Sequence, residues 1–386
     1  MGDGALALAA LTLASCNKDP KVDNDLTSQE KALKAAVETY VPNVIYNIYG
    51  HLADETESLY QQLSALKEKD TYAQNDIDAI CETFLSARKW WEQSEAFLYG
   101  AATAYGIDPH IDSWPLDVDA FNNLMNSPNM LAALAGEDGD VVAGEQLGNA
   151  LLGFHGIEYI LFNNGQARDA SEVTETQMVY AVAVAGDLRN RCFQLEVSWI
   201  GDAAAKTHRD KVEELELNST VNGGSYSYGD NLKKAGNPGS TYASSVMGLM
   251  AIVDGCKTIA DEVGTSKIGK CHTGEDVTYV ESPYSQKSIT DFYDNITSIK
   301  NAYMGGMESQ RDEALSLHTY IKDNNKELDN KAMNAIGNAM TKIQAMKAPF
   351  VQFYADASAG EAMEACQELS DVMAKVKAEF GKIDRK

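Results

Sequence analysis

Apolar residues recur at helical spacing along most of the chain, whereas the apolar and polar alternation typical of strands is scarce. The first helix begins near Thr27, because Thr27 and Glu30 have the spacing of a capping box ahead of apolar positions from Leu33 to Ile48. Pro42 should kink or split this helix. Further helices are predicted at 54–68, 75–105, 118–135, 143–163, 173–202, 242–265, 286–303, 306–323, 326–346 and 352–381.

Two stretches do not follow the helical pattern. Residues 108–115 contain Pro109 and Pro115, which restrict the residues before them, so we expect an irregular segment there. Residues 218–241 are rich in Gly, Ser and Asn, as long connections are. The pattern therefore predicts an all-α fold of two consecutive helical bundles, at 27–210 and 242–386, joined by a connection at 211–241.

The predicted helix at 143–163 is apolar nearly all round and should be buried. His155 and Glu158 lie three residues apart within it and so point the same way. A buried imidazole and carboxylate are costly unless they pair, accept hydrogen bonds or bind a cation. From these two residues alone, a structural pair and a metal-ligand pair are equally good interpretations.

The same helix contains Gly148, Gly153 and Gly156. A glycine inside a helix costs roughly 1 kcal/mol relative to alanine. We therefore expect a neighbouring segment to approach this helix closely.

More carboxylates would be needed for a metal site, since most metals take at least three protein ligands. Glu92 and Glu95 lie three apart on the helix predicted at 75–105, in an aromatic stretch. Glu92 could instead form a surface ion pair with Arg88 one turn earlier. Asp108 and Asp112 follow in the irregular segment, where aspartates are also common turn formers.

Composition limits the classes of partner. The chain has 386 residues, enough for two domains, and 44% of them are hydrophobic. Its 57 acidic and 32 basic residues give a net charge of -25, which argues against nucleic acid or an anionic membrane surface as a partner.

The N-terminus has a different character. Residues 5–15 are small and apolar, and Leu13-Ala14-Ser15-Cys16 resembles the lipobox of bacterial lipoproteins. That resemblance implies a signal peptide at 1–16, acylation of Cys16, a tether at 17–26, and anchoring to the outer membrane of the cell envelope through lipid alone, facing the periplasm or the surface. The apolar run is too short to span a bilayer, as expected of a signal segment, although no Lys or Arg precedes it.

The other cysteines are scattered without zinc-type spacing. A disulfide is open to them in the envelope, with Cys256 and Cys271 the nearest pair, and buried free thiols are the alternative. The five are Cys81, Cys192, Cys256, Cys271 and Cys366.

Taken together, three motifs resemble the imelysin family. Residues 153–158 are similar to its Gly-x-His-x-x-Glu signature, and residues 91–97 and 111–115 are similar to its Trp-Glu and Ile-Asp-Ser-Trp-Pro stretches. The resemblance covers nearly the whole chain after the tether. It implies two bundle-like domains with a site at their interface, and a role in iron or haem acquisition, with outer-membrane transport or other envelope proteins as partners.

The resemblance extends to the periplasmic metal-binding proteins of iron importers, which have a similar His-x-x-Glu pair. Asp112 is one of the metal ligands that this resemblance implies, and Asp108 would take its place if Asp112 did not reach the site. An oxygen and imidazole donor set suits iron above all, with zinc, copper or manganese as alternatives. The metal ligands implied by position are Glu92, Glu95, Asp112, His155 and Glu158.

Imelysins also have a peptidase label, so a metal-dependent peptidase is the second interpretation. Zinc peptidases use two histidines around a catalytic glutamate, or His-x-x-Glu followed by His. Here Tyr159 follows Glu158, so the second histidine is missing and binding is favoured over catalysis. A non-catalytic surface-adhesion lipoprotein is the third interpretation. The remaining histidines considered lie in unrelated contexts, at His110, His208, His272 and His318.

Overall fold

The computed structural model of the chain describes residues 27–383. Cys16 and the segments expected to be a signal peptide, 1–16, and a tether, 17–26, lie outside the described residues. Within 27–383 the fold is helical apart from one hairpin, in which β1 (Phe162–Asn163) pairs antiparallel with β2 (Gln166–Ala167). The prediction of an all-α fold is confirmed. In this part of the chain no helix is both long enough and apolar enough to cross a membrane.

The N-terminal helices are α1 (Ser28–Tyr40), α2 (Asn47–Lys67), α3 (Gln74–Glu92), α4 (Ala101–Ala104) and α5 (Ile107–Ile111). The capping box is formed, because Thr27 Oγ1 accepts from the Glu30 amide while the Glu30 carboxylate accepts from the Thr27 amide. Pro42 lies in a π-helical turn, Val41–Tyr46, which joins α1 directly to α2.

Two predictions in this region were wrong. The helix expected to reach residue 105 ends at Glu92 and is followed by a 3₁₀ turn, Glu95–Phe97. The segment expected to be irregular at 108–115 is helical as far as Ile111, in α5, because Pro109 sits in the first turn of that helix, where its missing N–H has no helical partner to lose. Residues 112–115 are irregular, as expected.

The next elements are α6 (Val118–Met125), α7 (Pro128–Leu134), α8 (Gly139–Gln146), α9 (Gly153–Leu161) and α10 (Glu175–Ile200). The single helix expected at 143–163 is divided. It ends at Gln146 and resumes at Gly153, whose φ of +66° lies in the left-handed region that favours glycine. Within this gap a short 3₁₀ turn, Asn149–Leu151, replaces the expected α-helix, and Leu151 and Leu152 are buried there.

The remaining helices are α11 (Lys206–Glu214), α12 (Tyr228–Lys233), α13 (Ser245–Glu262), α14 (Gly269–Thr273), α15 (Ser288–Met304), α16 (Leu317–Asn324), α17 (Lys326–Gln344), α18 (Phe350–Phe353) and α19 (Ala357–Phe380). The connection expected to be a loop contains α12, which Ser227 caps by accepting from the Asp230 amide. A second π-helical turn, Val263–Ile268, joins α13 to α14.

One large cluster of buried apolar side chains extends from Leu33 in α1 to Phe380 in α19. Helices of the two halves pack on each other, α1 against α13 and α3 against α15. The division into two bundles stays a prediction. For function, the important point is that α3 lies against α15, and that the 3₁₀ turn Glu95–Phe97 after it lies against both α13 and α15, so residues far apart in sequence meet there.

Candidate metal centre

The site begins at the end of α3, where Arg88 and Glu92 lie one turn apart. Arg88 Nη2 is 2.5 Å from Glu92 Oε1, so the ion pair considered from the sequence is formed. Its expected surface location is wrong, because Arg88 is 2% exposed and Glu92 fully buried. Buried charges require partners that surface charges do not.

Glu95 reaches the same place from a different element. Because α3 ends at Glu92, Glu95 lies on the 3₁₀ turn, and the two glutamates do not share one helix face as expected. Both side chains nevertheless face the ammonium group of Lys267, whose Nζ is 3.6 Å from Glu92 Oε2 and 3.5 Å from Glu95 Oε1.

Asp112 follows α5 directly and lies at the centre of the site. One oxygen, Oδ1, is ion-paired with Arg88 and lies 3.0 Å from His155 Nε2. The other, Oδ2, accepts a 2.7 Å hydrogen bond from the Trp91 indole. Every carboxylate oxygen of Asp112 is therefore fixed by a partner on another element.

His155 and Glu158 extend from α9 and are both buried. Glu158 Oε2 lies 3.4 Å from His155 Nδ1. Its other oxygen accepts hydrogen bonds from the Tyr284 amide at 3.2 Å, and from the Ser285 amide and hydroxyl at 2.8 and 2.7 Å. Glu158 thus lies on the Nδ1 side of the imidazole, where a carboxylate can orient the ring, while Nε2 faces Asp112.

The glycines of the motif explain how α9 comes so close to its neighbours. A Cβ on Gly156 would lie 2.3 Å from the Tyr180 hydroxyl oxygen, and one on Gly153 would lie 1.9 Å from the Ile111 carbonyl oxygen. The expected close approach is confirmed at these two positions. At Gly148 it was wrong, since no atom lies within 4 Å of the added Cβ.

The second half of the chain contributes two residues that sequence reasoning missed. Lys267 lies in the π-helical turn after α13, and Glu281 lies between α14 and α15. Glu281 Oε1 is 2.6 Å from Arg88 Nη2 and 3.1 Å from Lys267 Nζ. Neither residue belongs to a motif or a periodic stripe, so no local signal in the sequence could have found them.

Negative groups outnumber positive ones in this core. Four carboxyl groups, which we call the carboxylate cluster, face the two side-chain cations Arg88 and Lys267. All four are buried, so their surplus negative charge is poorly screened. The carboxylate cluster consists of Glu92, Glu95, Asp112 and Glu281.

The surplus charge changes proton affinities. Burial raises the pKa of Glu281 to about 7 and that of Glu95 well above its ordinary value, in spite of the nearby Lys267. Burial disfavours the imidazolium form of His155, yet hydrogen bonds with Asp112 and Glu158 raise the pKa of His155 to about 9. Without another cation, the site therefore retains protons near neutral pH.

Two groups of side chains within residues 27–383 bring one potential ligand atom each to within 4.8 Å of the others. One group is Asp112, His155 and Glu281, and the other is Glu92, Glu95 and Asp112. Glu281 Oε2 is buried and has no hydrogen-bond partner, so it is free to coordinate. Oxygen and imidazole donors in this arrangement fit a first-row metal ion.

A cavity of about 190 Å³ adjoins the carboxylate cluster. Asp108, the proposed substitute ligand, lies in its wall, and burial raises the pKa of Asp108 to about 7. Glu95 and Asp112 also line it, so the cavity borders two of the candidate ligands. The charged and aromatic side chains of this lining are Glu95, Asp108, Asp112, Trp114, Glu262, Lys267 and Tyr279.

The remaining cysteines and histidines lie apart from the site. All five cysteines within the described residues are buried free thiols, so Cys256 and Cys271 form no disulfide. The histidines outside the motif have other partners: His51 stacks on the Trp90 ring, His110 lies beside Asp187, His208 beside Glu196, His272 beside the Tyr354 carbonyl and His318 beside Asp329. No second histidine joins His155 among the described ligand groups.

Comparison with known proteins agrees with these motifs. The family model described as Imelysin matches residues 45–376, which include every residue of the site. The chain belongs to the imelysin family.

Two imelysin relatives have names that mention iron. Iron-regulated protein A of Synechococcus elongatus (strain ATCC 33912 / PCC 7942 / FACHB-805) is 25% identical over 269 residues. That match covers 70% of this chain and 64% of the relative, less than two thirds of its length. A crystal structure from Parabacteroides distasonis ATCC 8503, provisionally named an iron-regulated protein A precursor, is 27% identical with a TM-score of 0.76. The match covers 91% of this chain and 95% of the Parabacteroides chain.

A more distant imelysin-like protein, from Psychrobacter arcticum 273-4, shows the same fold. Its crystal structure superimposes with a TM-score of 0.58 over 92% of this chain and 94% of its own length, at 12% identity. The all-α imelysin architecture therefore persists where little sequence similarity is left.

Proposed function

We propose that this imelysin-family protein binds a metal ion, iron above all, at the carboxylate cluster and His155, and serves iron acquisition. The observation that carries the proposal is the surplus of buried carboxylates over side-chain cations beside a polar cavity. The printed names of the Synechococcus and Parabacteroides relatives support iron as the metal. A buried negative site of this kind is costly unless a cation or protons neutralise it.

Asp112, His155 and Glu281 are the ligands with the best convergence, and Glu92 and Glu95 adjoin them. Bound there, the metal would supply the positive charge that these groups lack. We assign Glu158 to positioning the His155 ring, because three hydrogen bonds to its Oε1 hold it away from the cluster.

An ion fits the site better than haem. The adjoining cavity, about 190 Å³, is smaller than the roughly 300–1,000 Å³ typical of pockets for drug-sized ligands. A peptidase would need a second histidine or a free general base, and the described ligand groups contain His155 as their one histidine. Binding is therefore preferred to catalysis.

The proposal includes a place in the cell envelope, with a lipid on Cys16 holding the protein to the outer membrane. Its support is the lipobox-like sequence that ends at Cys16. The mass of the N-terminal peptide, purified from membranes of the native host, tests this, and an unprocessed peptide that starts at Met1 would contradict it.

Elemental analysis of the untreated protein, followed by calorimetric titration with Fe²⁺ without oxygen, tests the metal site. We expect one metal per chain, and Glu281→Gln should weaken binding by about tenfold or more, since it removes a charged ligand and keeps the shape. Glu196→Gln is the matched control, because Glu196 is also buried but pairs with His208 instead. Absence of stoichiometric metal, or equal affinity of both variants and the wild type, would overturn the proposal.

A further inference from the structure

Lys267 is the most unusual residue of the site, since lysine is almost never fully buried unless it is paired. It is 1% exposed, and its ammonium nitrogen lies 3.1 Å from Glu281, 3.5 Å from Glu95 and 3.6 Å from Glu92. A point positive charge among three carboxylates from three separate elements occupies the kind of position that a metal ion takes.

Arg88, the other cation, has a different role. Its guanidinium contacts Asp112, Glu92 and Glu281, and lies over the Phe154 ring at 5.2 Å. It lies one turn before the end of α3, and its planar fork fixes several carboxylates at once. Arg88 is therefore a fixed part of the frame.

Lys267, in contrast, borders the cavity, which Arg88 does not line. Four rotatable bonds let a lysine ammonium move while its backbone stays in place. Two further carboxylates, Asp108 and Glu262, lie in the same cavity, and the Trp114 ring is 5.3 Å from Nζ. An ammonium group that left the cluster would therefore find acidic and aromatic partners close by.

We infer that Lys267 acts as a displaceable internal cation, which holds the metal position in the metal-free protein and swings into the cavity beside Asp108 and Glu262 when metal binds. The inference rests on the proposed metal-binding function and adds a specificity device to it. Because one positive charge must leave, an ion of charge two or three gains attraction on exchange, whereas a monovalent ion gains none. Lys267 thus selects against sodium and potassium.

The test compares Lys267→Met with Lys270→Met in the full-length protein, by competition titration with Fe²⁺ or Zn²⁺ against a chromophoric chelator. Lys267→Met should bind at least about tenfold more tightly than the wild type, because the competing charge is gone. Lys270 is the matched control, three residues on, and its Nζ lies 3.8 Å from the Tyr279 ring centroid. Lys270→Met should stay within about threefold of the wild type.

A second measurement serves if Lys267→Met does not fold. Amine acetylation of the wild type, read at Lys267 by mass spectrometry, should be slow without metal and faster with Zn²⁺, as the ammonium enters the cavity. Lys267 labelling that does not rise on metal loading would overturn the inference. A folded Lys267→Met that binds metal with equal or weaker affinity than the wild type would also overturn the inference. Metal binding by the wild type would still support the proposed function in that case. If neither protein binds metal, the proposed function fails as well.

Discussion

His155 and His208 are both buried and both paired with a carboxylate, yet only His155 belongs to the candidate metal site. His208 Nδ1 lies 2.5 Å from Glu196 Oε2, and its ring stacks on Phe193 with centroids 3.8 Å apart. His155 instead faces Asp112, behind which further carboxylates and two cations converge. A histidine next to an acid is thus an insufficient criterion.

The cavities near the two histidines show which further criterion identifies a candidate metal site. One is lined by Asp112, the partner of His155, and the other by His208. The one next to His208 is larger, about 590 Å³, and has several acidic side chains in its wall. Asp140, one of these acids, already accepts hydrogen bonds from Arg189 and Asn190. The two described ligand groups include no residue of this cavity. Surplus carboxylates that converge on one point, rather than acidity or volume, distinguish the candidate metal site.

Replacing the two histidines in turn gives the largest expected effect. His155→Ala should reduce metal affinity by roughly 100-fold or more, since even loss of an outer partner of a ligand costs 10–100-fold. His208→Ala should leave affinity unchanged and lower thermal stability. Calorimetry and thermal melts of both variants decide the matter. Equal loss of metal binding in both would show that burial alone, and not ligation, links histidine to affinity.

Two tightly packed glycines provide an intermediate effect. Gly156→Ala should cost about 1–3 kcal/mol of stability and weaken metal binding about tenfold, because a Cβ there lies 2.3 Å from the Tyr180 hydroxyl and pushes α9 aside. Gly186→Ala, with a Cβ 2.6 Å from Asp140 Cβ beside the other cavity, should cost similar stability and leave affinity unchanged. Denaturant unfolding and titration measure both quantities. A loss of affinity in Gly186→Ala would contradict the separation of the two regions.

The smallest effect concerns pH. The folded pKa of His155, raised to about 9 from about 6.5, means that its stabilisation is fully present below pH 6.5 and lost as the pH rises through 9. Burial raises the pKa of Glu281 to about 7, so its ionisation acts in the same direction at lower pH. The metal-free protein should thus melt roughly 2–5 °C lower at pH 9 than at pH 6.5.

His155→Gln should flatten this decline, whereas His208→Gln should retain it. Thermal melts in chelator at several pH values provide the measurement. A decline of the same size in both variants would assign the pH effect to another part of the chain.

The sequence was sufficient wherever the structure depends on neighbours along the chain. The capping box at Thr27 and the burial of His155 and Glu158 were predicted, since both depend on residues a few positions away. The same periodicity misled across 147–152, where apolar residues continue at helical spacing although the helix is interrupted. A 3₁₀ turn, Asn149–Leu151, carries Leu151 into the core there, and the positive φ of Gly153 marks the start of the next helix.

The site could be predicted only in part, for a similar reason. Glu92, Asp112 and His155 belong to motifs that local spacing makes visible. Glu281 meets Arg88 across 193 positions, and no pattern near Glu281 announces that contact. Contacts between distant segments depend on how helices pack, and local patterns in one sequence do not reveal that packing.

Gly153 has a consequence that its hidden place in the motif obscures. Its missing side chain leaves just enough room for the Ile111 carbonyl, immediately before Asp112, to rest against the start of α9. Because Gly153 has only a hydrogen atom in place of a side chain, the segment that holds Asp112 can lie directly against the helix that holds His155. Any larger residue would widen that spacing, so the first residue of the motif determines the geometry of the candidate site without contributing a ligand atom.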